Sequence, residues 1–206
     1  MALITCKINR LINMFWKMPD ISLDIKKIIY HSLVESHINY GILIWACSLS
    51  KNVSSQELPK GHVPVNLKNV KKAQNKVIRA IFRVPKFDRK NKTVTDMSPL
   101  YKKLGVLKLH DLYFYNLGIL CYDYMANPDF PVKIGNSFNM KSDINCRITR
   151  SSEIDFYFSK PNNISTYRKP SLSGAAFWNR IPLEIRHSKT ANVFKSKLRK
   201  YFLEKY

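Results

Sequence analysis

Between residues 3 and 16 the apolar positions Leu3, Ile4, Ile8, Leu11, Ile12, Phe15 and Trp16 recur at steps of three and four, which gathers them on one side of an α-helix. The pattern predicts a helix ending near residue 18, where Pro19 and Asp20 interrupt it. Ser22 offers an N-cap, and Ile25, Ile28, Ile29, Leu33 and Ser36 continue a stripe toward Tyr40 and Trp45, which reads as a long, largely buried helix. Residues 48–65 are polar and without period, a loop. Asn66 is placed to cap the next helix, whose stripe is Leu67, Val70, Ala73, Val77, Ile78 and Ile81. Residues 84–95 read as a basic loop; Ser98 and Pro99 start a short helix that Gly105 ends; residues 110–125 supply another apolar-rich helix. Residues 127–152 read as an extended connection, and the alternation Ile154, Phe156, Phe158 as a short strand. After a compact segment over 171–182, a last helix starts from Thr190 or Asn192 and carries Phe194, Leu198, Tyr201 and Phe202 on one face.

These elements predict a mainly α protein. A helical, thumb-like bundle over residues 1–105, with the polar loop near 48–65, precedes a small, mostly helical C-terminal domain over 106–206. That second domain includes a short strand or hairpin and ends in a basic amphipathic helix. At 206 residues and 45% apolar content the chain can bury a core. No apolar run approaches the roughly 20 residues of a spanning helix. Lys7 and Arg10 sit among the first apolar residues, with no small-residue cleavage site after them, so an intracellular protein without a membrane partner is expected.

Charge narrows the function. Lys plus Arg number 35 against 14 Asp plus Glu, a formal net charge of +21, which calls for a polyanionic partner. Lys68, Lys71, Lys72, Lys76, Arg79 and Arg83 recur along the helix after Asn66, and no acidic residue occurs between Glu57 and Asp88. A merely solvated face would mix signs, so this one points to the phosphates of RNA or DNA. A second cluster, Lys189, Lys195, Lys197, Arg199 and Lys200, lies on the last helix, and Arg147 with Arg150 form a third in a loop. The last helix also admits a membrane-surface or partner-helix reading.

Catalysis finds little support. A two-metal site needs clustered carboxylates, and no two acidic residues are adjacent; Asp20 and Asp24, near Lys26, fit a helix N-terminus, where negative charge complements the dipole. Cys6, Cys47, Cys121 and Cys146 are far apart, without metal-ligand or nucleophile-elbow spacing, and read as reduced thiols. No glycine-rich phosphate loop occurs. Hence no catalytic residue, metal, cofactor or small-molecule substrate is expected. The run Gly174-Ala175-Ala176 before Trp178 predicts close packing around a buried indole rather than a base-stacking platform, and Tyr40 and Trp45 are assigned to the core likewise.

Several separated segments together resemble one family. Residues 29–42, Ile-Tyr-His-Ser-Leu-Val-Glu-Ser-His-Ile-Asn-Tyr-Gly-Ile, contain Tyr30 and Tyr40 and are followed by Trp45. They resemble the stretch after the polymerase core of non-LTR retrotransposon reverse transcriptases of the jockey and chicken-repeat type. Residues 70–81, with Lys71, Lys72, Gln74, Arg79 and Ala80, are similar to the family's Leu-Gln-Lys-x-x-Ile-Arg helix, and residues 98–107 to its next element. Thr149-Arg150 looks like its Thr-Arg pair. Gly174, Trp178, Asn179, Ile181-Pro182, Ile185-Arg186 and Phe194-Lys195 with Leu198 resemble its Gly-Pro-x-x-Trp-Asn-x-Leu-Pro signature and closing Phe-Lys-x-x-Leu helix, with Ala175 in place of the usual Pro.

The resemblance covers nearly the whole chain and implies a thumb and C-terminal region of a LINE-type RNA-directed DNA polymerase. The Phe/Tyr-x-Asp-Asp box and the other palm carboxylate are absent, so it implies binding without polymerisation. The implied partners are template RNA, target DNA or their hybrid, and the palm and fingers of a polymerase; the implied location is nuclear. In the family the thumb lies against the template–primer duplex, which makes residues 66–83 the expected contact. Two other readings are a domesticated protein-interaction module and an unselected remnant of such an element.

Overall fold

The computed structural model describes residues 2–17, 19–52, 65–88, 93–127, 129–131, 138–144, 155–158 and 169–206. The fold is mainly α, as expected. Its helices are α1 (Ala2–Lys17), α2 (Leu23–Ile29), α3 (Ser36–Asn39), α4 (Ile42–Trp45), α5 (Lys68–Phe82), α6 (Ser98–Leu104), α7 (Leu109–Ala126), α8 (Lys141–Ile144), α9 (Pro170–Trp178), α10 (Leu183–Arg186) and α11 (Ala191–Leu203). Two compact units share them. The first comprises Met1–Ile42, Val63–Leu112 and Lys200–Tyr206, the second Leu43–His62 and Tyr113–Arg199. The units interleave in sequence. Periodicity reports which face of a helix is apolar, and says nothing of which distant segment covers it.

In the first unit α1 packs along α5. Ser22 caps α2 as predicted, accepting the Ile25 N–H at 3.4 Å, with Asp24 in the first turn. The helix then widens into a π-helical turn, Tyr30–Glu35, before α3. The expected long buried helix is corrected here. Tyr40 stands at a break, 85% exposed, before Gly41 at φ 64°, and Ile25, Ile28 and Leu33 face solvent. The buried line is instead Lys26, Tyr30, Val34 and Ile38. Lys26 lies flat with its stem covered and its ammonium donating to the Pro19 carbonyl at 3.0 Å, the way a long amphipathic side chain occupies a core edge.

Helix α5 is preceded by a 3₁₀ turn, Val65–Leu67, which includes the predicted cap Asn66, and Leu67 occupies the cap position with no side-chain hydrogen bond. Its predicted stripe, Leu67, Val70, Ala73, Val77, Ile78 and Ile81, is buried throughout. Gln74 is buried among them, donating to Tyr30 Oη at 2.8 Å and to the Leu107 carbonyl at 2.9 Å, while its Oε1 accepts the Leu109 N–H at 3.0 Å. Leu109 N–H is a free first-turn donor of α7, so one core amide caps that helix and ties it to α5. Gln74→Leu would remove the bond to Tyr30 Oη and take the side-chain partner from the buried Leu107 carbonyl and Leu109 N–H, and is expected to lower stability by about 2–3 kcal/mol, measured as a shift in the urea midpoint at unchanged slope.

Beyond α5 the expected basic loop contains a small hairpin, β1 (Phe87–Asp88) and β2 (Thr93–Val94). Helix α6 starts at Ser98-Pro99 and ends on Gly105 at φ 72°, both as read from the sequence. Tyr206 also belongs to this unit: its hydroxyl accepts the Lys108 N–H at 2.8 Å and donates to Asp111, and the Lys108 ammonium lies 4.1 Å from its ring centroid.

The second unit is built on α7, α9 and α11, with a core of interlocking aromatics. Close approach is set by two glycines. A Cβ at Gly118 would lie 2.8 Å from Leu198 Cδ2, and one at Gly174 would lie 2.9 Å from Cys121 Sγ. Trp178 is 1% exposed, between Phe156 and Phe194 at centroid distances of 5.9 and 5.8 Å, and Phe194 stacks on Tyr122 at 4.5 Å. Of the expected strand, Ile154 lies outside the described residues, and Phe156 forms a single antiparallel bridge with Met140. The segment over 171–182 is largely helix α9, and α11 begins with Thr190 Oγ1 accepting the Val193 N–H at 3.4 Å.

Candidate nucleic-acid interface

The face that α5 turns away from its core is cationic and carries no acid. With the helix advancing 100° per residue, Lys68, Lys71, Lys72, Lys76, Arg79 and Arg83 fall within an arc of about 140°, opposite the buried stripe. Lys68, Lys72, Lys76 and Arg83 are exposed, Lys71 and Arg79 half-buried. Over about 22 Å of helix axis the arc carries no acid, so the charges repel one another and the potential is unrelieved within the helix. The face can therefore hold a row of phosphates.

The surroundings add to the charge. Lys103 Nζ lies 5.7 Å from the Phe82 ring. Lys108 has its pKa lowered, first by burial and further by the charge of Lys71, against the opposing pull of Asp111 and Asp96. Those two carboxylates are engaged elsewhere: Asp96 accepts the Ser98 N–H at 3.0 Å, and Asp111 accepts from Tyr206. The Asp96 carboxyl is accordingly held below its ordinary value, chiefly by that backbone hydrogen bond.

At its end α5 is terminated by Arg83 in the left-handed region, φ 55°, with Val84 N–H donating to the Arg79 carbonyl at 3.1 Å. A non-glycine residue there is unfavourable by about 1–2 kcal/mol. The Arg83 guanidinium donates to the Trp16 carbonyl at 3.3 Å, placing a cation on the last turn of α1 where the dipole favours it.

The cluster on α11 is put to other uses. Lys197 donates to the Glu184 carbonyl at 3.1 Å, the Arg199 guanidinium lies 5.2 Å from the Tyr115 ring centroid, and Lys200 pairs with Glu204 at 3.9 Å. Lys195 is half-buried, and Lys189 is exposed. Most of these cations are tied to their own fold, which weakens the reading of α11 as a free phosphate-binding face. Arg147 and Arg150 lie outside the described residues.

The motif residues have structural roles. Asn179 receives the Phe156 N–H at 3.0 Å and donates to the Phe156 carbonyl at 2.8 Å, an amide clamped onto one residue's backbone directly after the buried Trp178. Pro182 begins α10, its carbonyl accepting the Ile185 and Arg186 N–H groups at 3.0 and 3.2 Å. Tyr30 is buried on Gln74, Gly174 is the close approach described above, and Trp45 is half-buried.

Sequence reasoning missed one ionic centre. Asp155 is buried, with Oδ1 2.6 Å from Arg186 Nη1 and Oδ2 2.6 Å from Lys141 Nζ. An isolated Asp and a basic residue 31 positions apart leave no periodic signal. Gln74, by contrast, was detectable as a polar residue inside an apolar stripe.

Among the described residues no three His, Cys, Asp or Glu side chains converge to hold a metal ion, and no helix is long and apolar enough to cross a membrane. Burial pushes the Cys121 thiol well above its ordinary pKa, which disfavours the nucleophilic thiolate; Cys6 is exposed, Cys47 half-buried, and Cys146 outside the described residues. No protein-family model, curated protein or solved structure matches this chain.

Proposed function

We propose that the chain is the non-catalytic C-terminal part of a LINE-type RNA-directed DNA polymerase and binds template RNA, target DNA or their hybrid through α5. The family part rests on the separated sequence segments quoted above. The binding part rests on one observation: the arc of α5 opposite its buried stripe, with the C-cap Arg83, carries six cations and no acid. Such a face reads phosphates and little sequence, so affinity comes from counterion release. The same reading makes the chain a binder without chemistry of its own, located in the nucleus.

Replacing Lys68, Lys71, Lys72 and Lys76 together by Ala keeps the helix, because Ala is the best helix former. The log–log salt slope for an RNA–DNA hybrid, measured by fluorescence anisotropy, is expected to fall by about 3–4 and affinity at low salt to drop at least a hundred-fold. Wild-type affinity in this variant removes α5 from the interface.

A second reading, a protein-interaction module, draws on the solvent-facing Ile25, Ile28 and Leu33. Excess RNA separates the two, since it displaces only a partner bound through the basic face.

A further inference from the structure

We propose that the hairpin β1–β2 is a second nucleic-acid contact, on which the Phe87 ring stacks against an unpaired base of a strand whose phosphates lie along α5. The inference rests on the reading of α5 as a phosphate-binding face and adds a base-binding element to it.

The hairpin follows the cationic helix almost directly. Lys86 is three residues beyond Arg83, so their Cα atoms are at most about 11 Å apart. Its base is pinned at two points, Thr95 N–H donating to the Lys86 carbonyl at 3.1 Å and Thr95 Oγ1 to the Pro85 carbonyl at 2.7 Å. Phe87 pairs with Val94 across the ladder, which puts both side chains on one face. That face looks into solvent: Phe87 is 48% and Val94 65% exposed. Two residues per strand make a hairpin of marginal stability by itself. A partner that covers this pair would stabilise what the chain alone holds weakly.

Charge identifies the partner. Lys86 is exposed beside the pair, three residues after Arg83 of the cationic arc. Two apolar side chains are too small a patch for a protein interface. One aromatic ring set among cations is the composition of single-strand nucleic-acid sites, where cations follow the backbone and the ring takes a base. The α5 arc supplies the cations, but its own aromatic, Phe82, is half-buried with Lys103 close to its ring. Phe87 is the exposed aromatic next in the chain. In a continuous duplex each base is already stacked on its neighbours, so the ring selects an unpaired base beside or beyond a paired segment.

The test compares a uridine homopolymer with a blunt RNA–DNA hybrid as ligands of the whole chain. Phe87→Ala is expected to weaken the homopolymer about ten-fold while its salt slope and the hybrid affinity stay unchanged, because a stack is lost and no phosphate contact. Phe87→Leu, which keeps an apolar side chain in the hairpin, should lose as much, and Phe87→Tyr should bind like wild type. Crosslinks from 4-thiouridine should map to the peptide containing Phe87. Wild-type homopolymer affinity in both Phe87→Ala and Phe87→Leu overturns the proposal, as does an equal loss on the hybrid. If the four-lysine variant loses affinity and these variants do not, the hairpin contact fails while the α5 reading stands; if wild type binds neither ligand, both fall.

Discussion

Asp155→Ala is expected to lower stability by about 3–5 kcal/mol, because it strands a buried guanidinium and a half-buried ammonium that share one carboxylate. The loss is structural as well as electrostatic. Lys141 N–H donates to the Asp155 carbonyl at 3.0 Å and Tyr157 N–H to the Asn139 carbonyl at 2.7 Å, so the carboxylate fastens Arg186 of α10 to a strand-like crossing beside α8. Burial alone would raise the Asp155 carboxyl, but hydrogen bonds and charge from Arg186 and Lys141 outweigh it and hold the pKa below the ordinary value. The folded state therefore favours the ionised form. Its contribution is fully present above the ordinary carboxylate pKa, about 4, and is lost as pH falls through the lower folded-state value. Urea midpoints measured down the acid limb should fall for the wild type and lose this component of the slope in Asp155→Ala. Equal midpoints for the two proteins at neutral pH would contradict the assignment.

Trp178→Ala is expected to cost about 3–5 kcal/mol, the range for emptying an aromatic site in a packed core. The indole is enclosed by Phe156 and Phe194, Phe194 in turn stacks on Tyr122, and the neighbouring Asn179 amide holds the backbone of Phe156. Removing the ring therefore empties the junction of α7, α9 and α11. Trp178→Phe keeps most of the volume and should cost less than half as much. Thermal melts followed by near-ultraviolet circular dichroism read the loss, and a melting temperature within a degree or two of wild type would place the indole outside the core.

The parts of this fold that could be read in advance are those where one property decides the outcome. In α6 the apolar period, a proline in the first turn and a glycine after the last one agree with one another, in α5 and α11 the apolar period is clear without them, and each helix appears where its signals predict it. The cationic arc of α5 was visible for the same reason: once the apolar face is known, the rest of the circumference is solvent. Trp178 and Gly174 were legible because small residues before a Trp have few uses besides close packing. The region of Ile25 to Tyr40 was misread because apolar identity and burial part company there. Its buried line uses a Lys, while Ile25, Ile28 and Leu33 face out, so counting hydrophobic residues selects the wrong side. The hairpin was invisible because two residues per strand is too short for alternation to register, and its joining residues lack a glycine turn signal. Asp155 could not be found because its partners come from distant segments that only the folded chain brings together.

The wide turn at Tyr30–Glu35 has a consequence for phase. In a regular α-helix each four-residue step over-rotates by about 40°, so the series Lys26, Tyr30, Val34, Ile38 would drift about 120° around the axis and leave its neighbours. A π-helical turn takes up more residues per revolution and returns part of that rotation. It works as a spacer that keeps the two halves of the segment in register with one surface, so that Tyr30 reaches Gln74 while Ile38, eight residues later, remains buried. Length in this turn is thus coupled to direction. Losing one residue would tighten the turn to ordinary helix and swing everything after it by about a quarter of a revolution, whereas an ordinary substitution there would leave the phase alone.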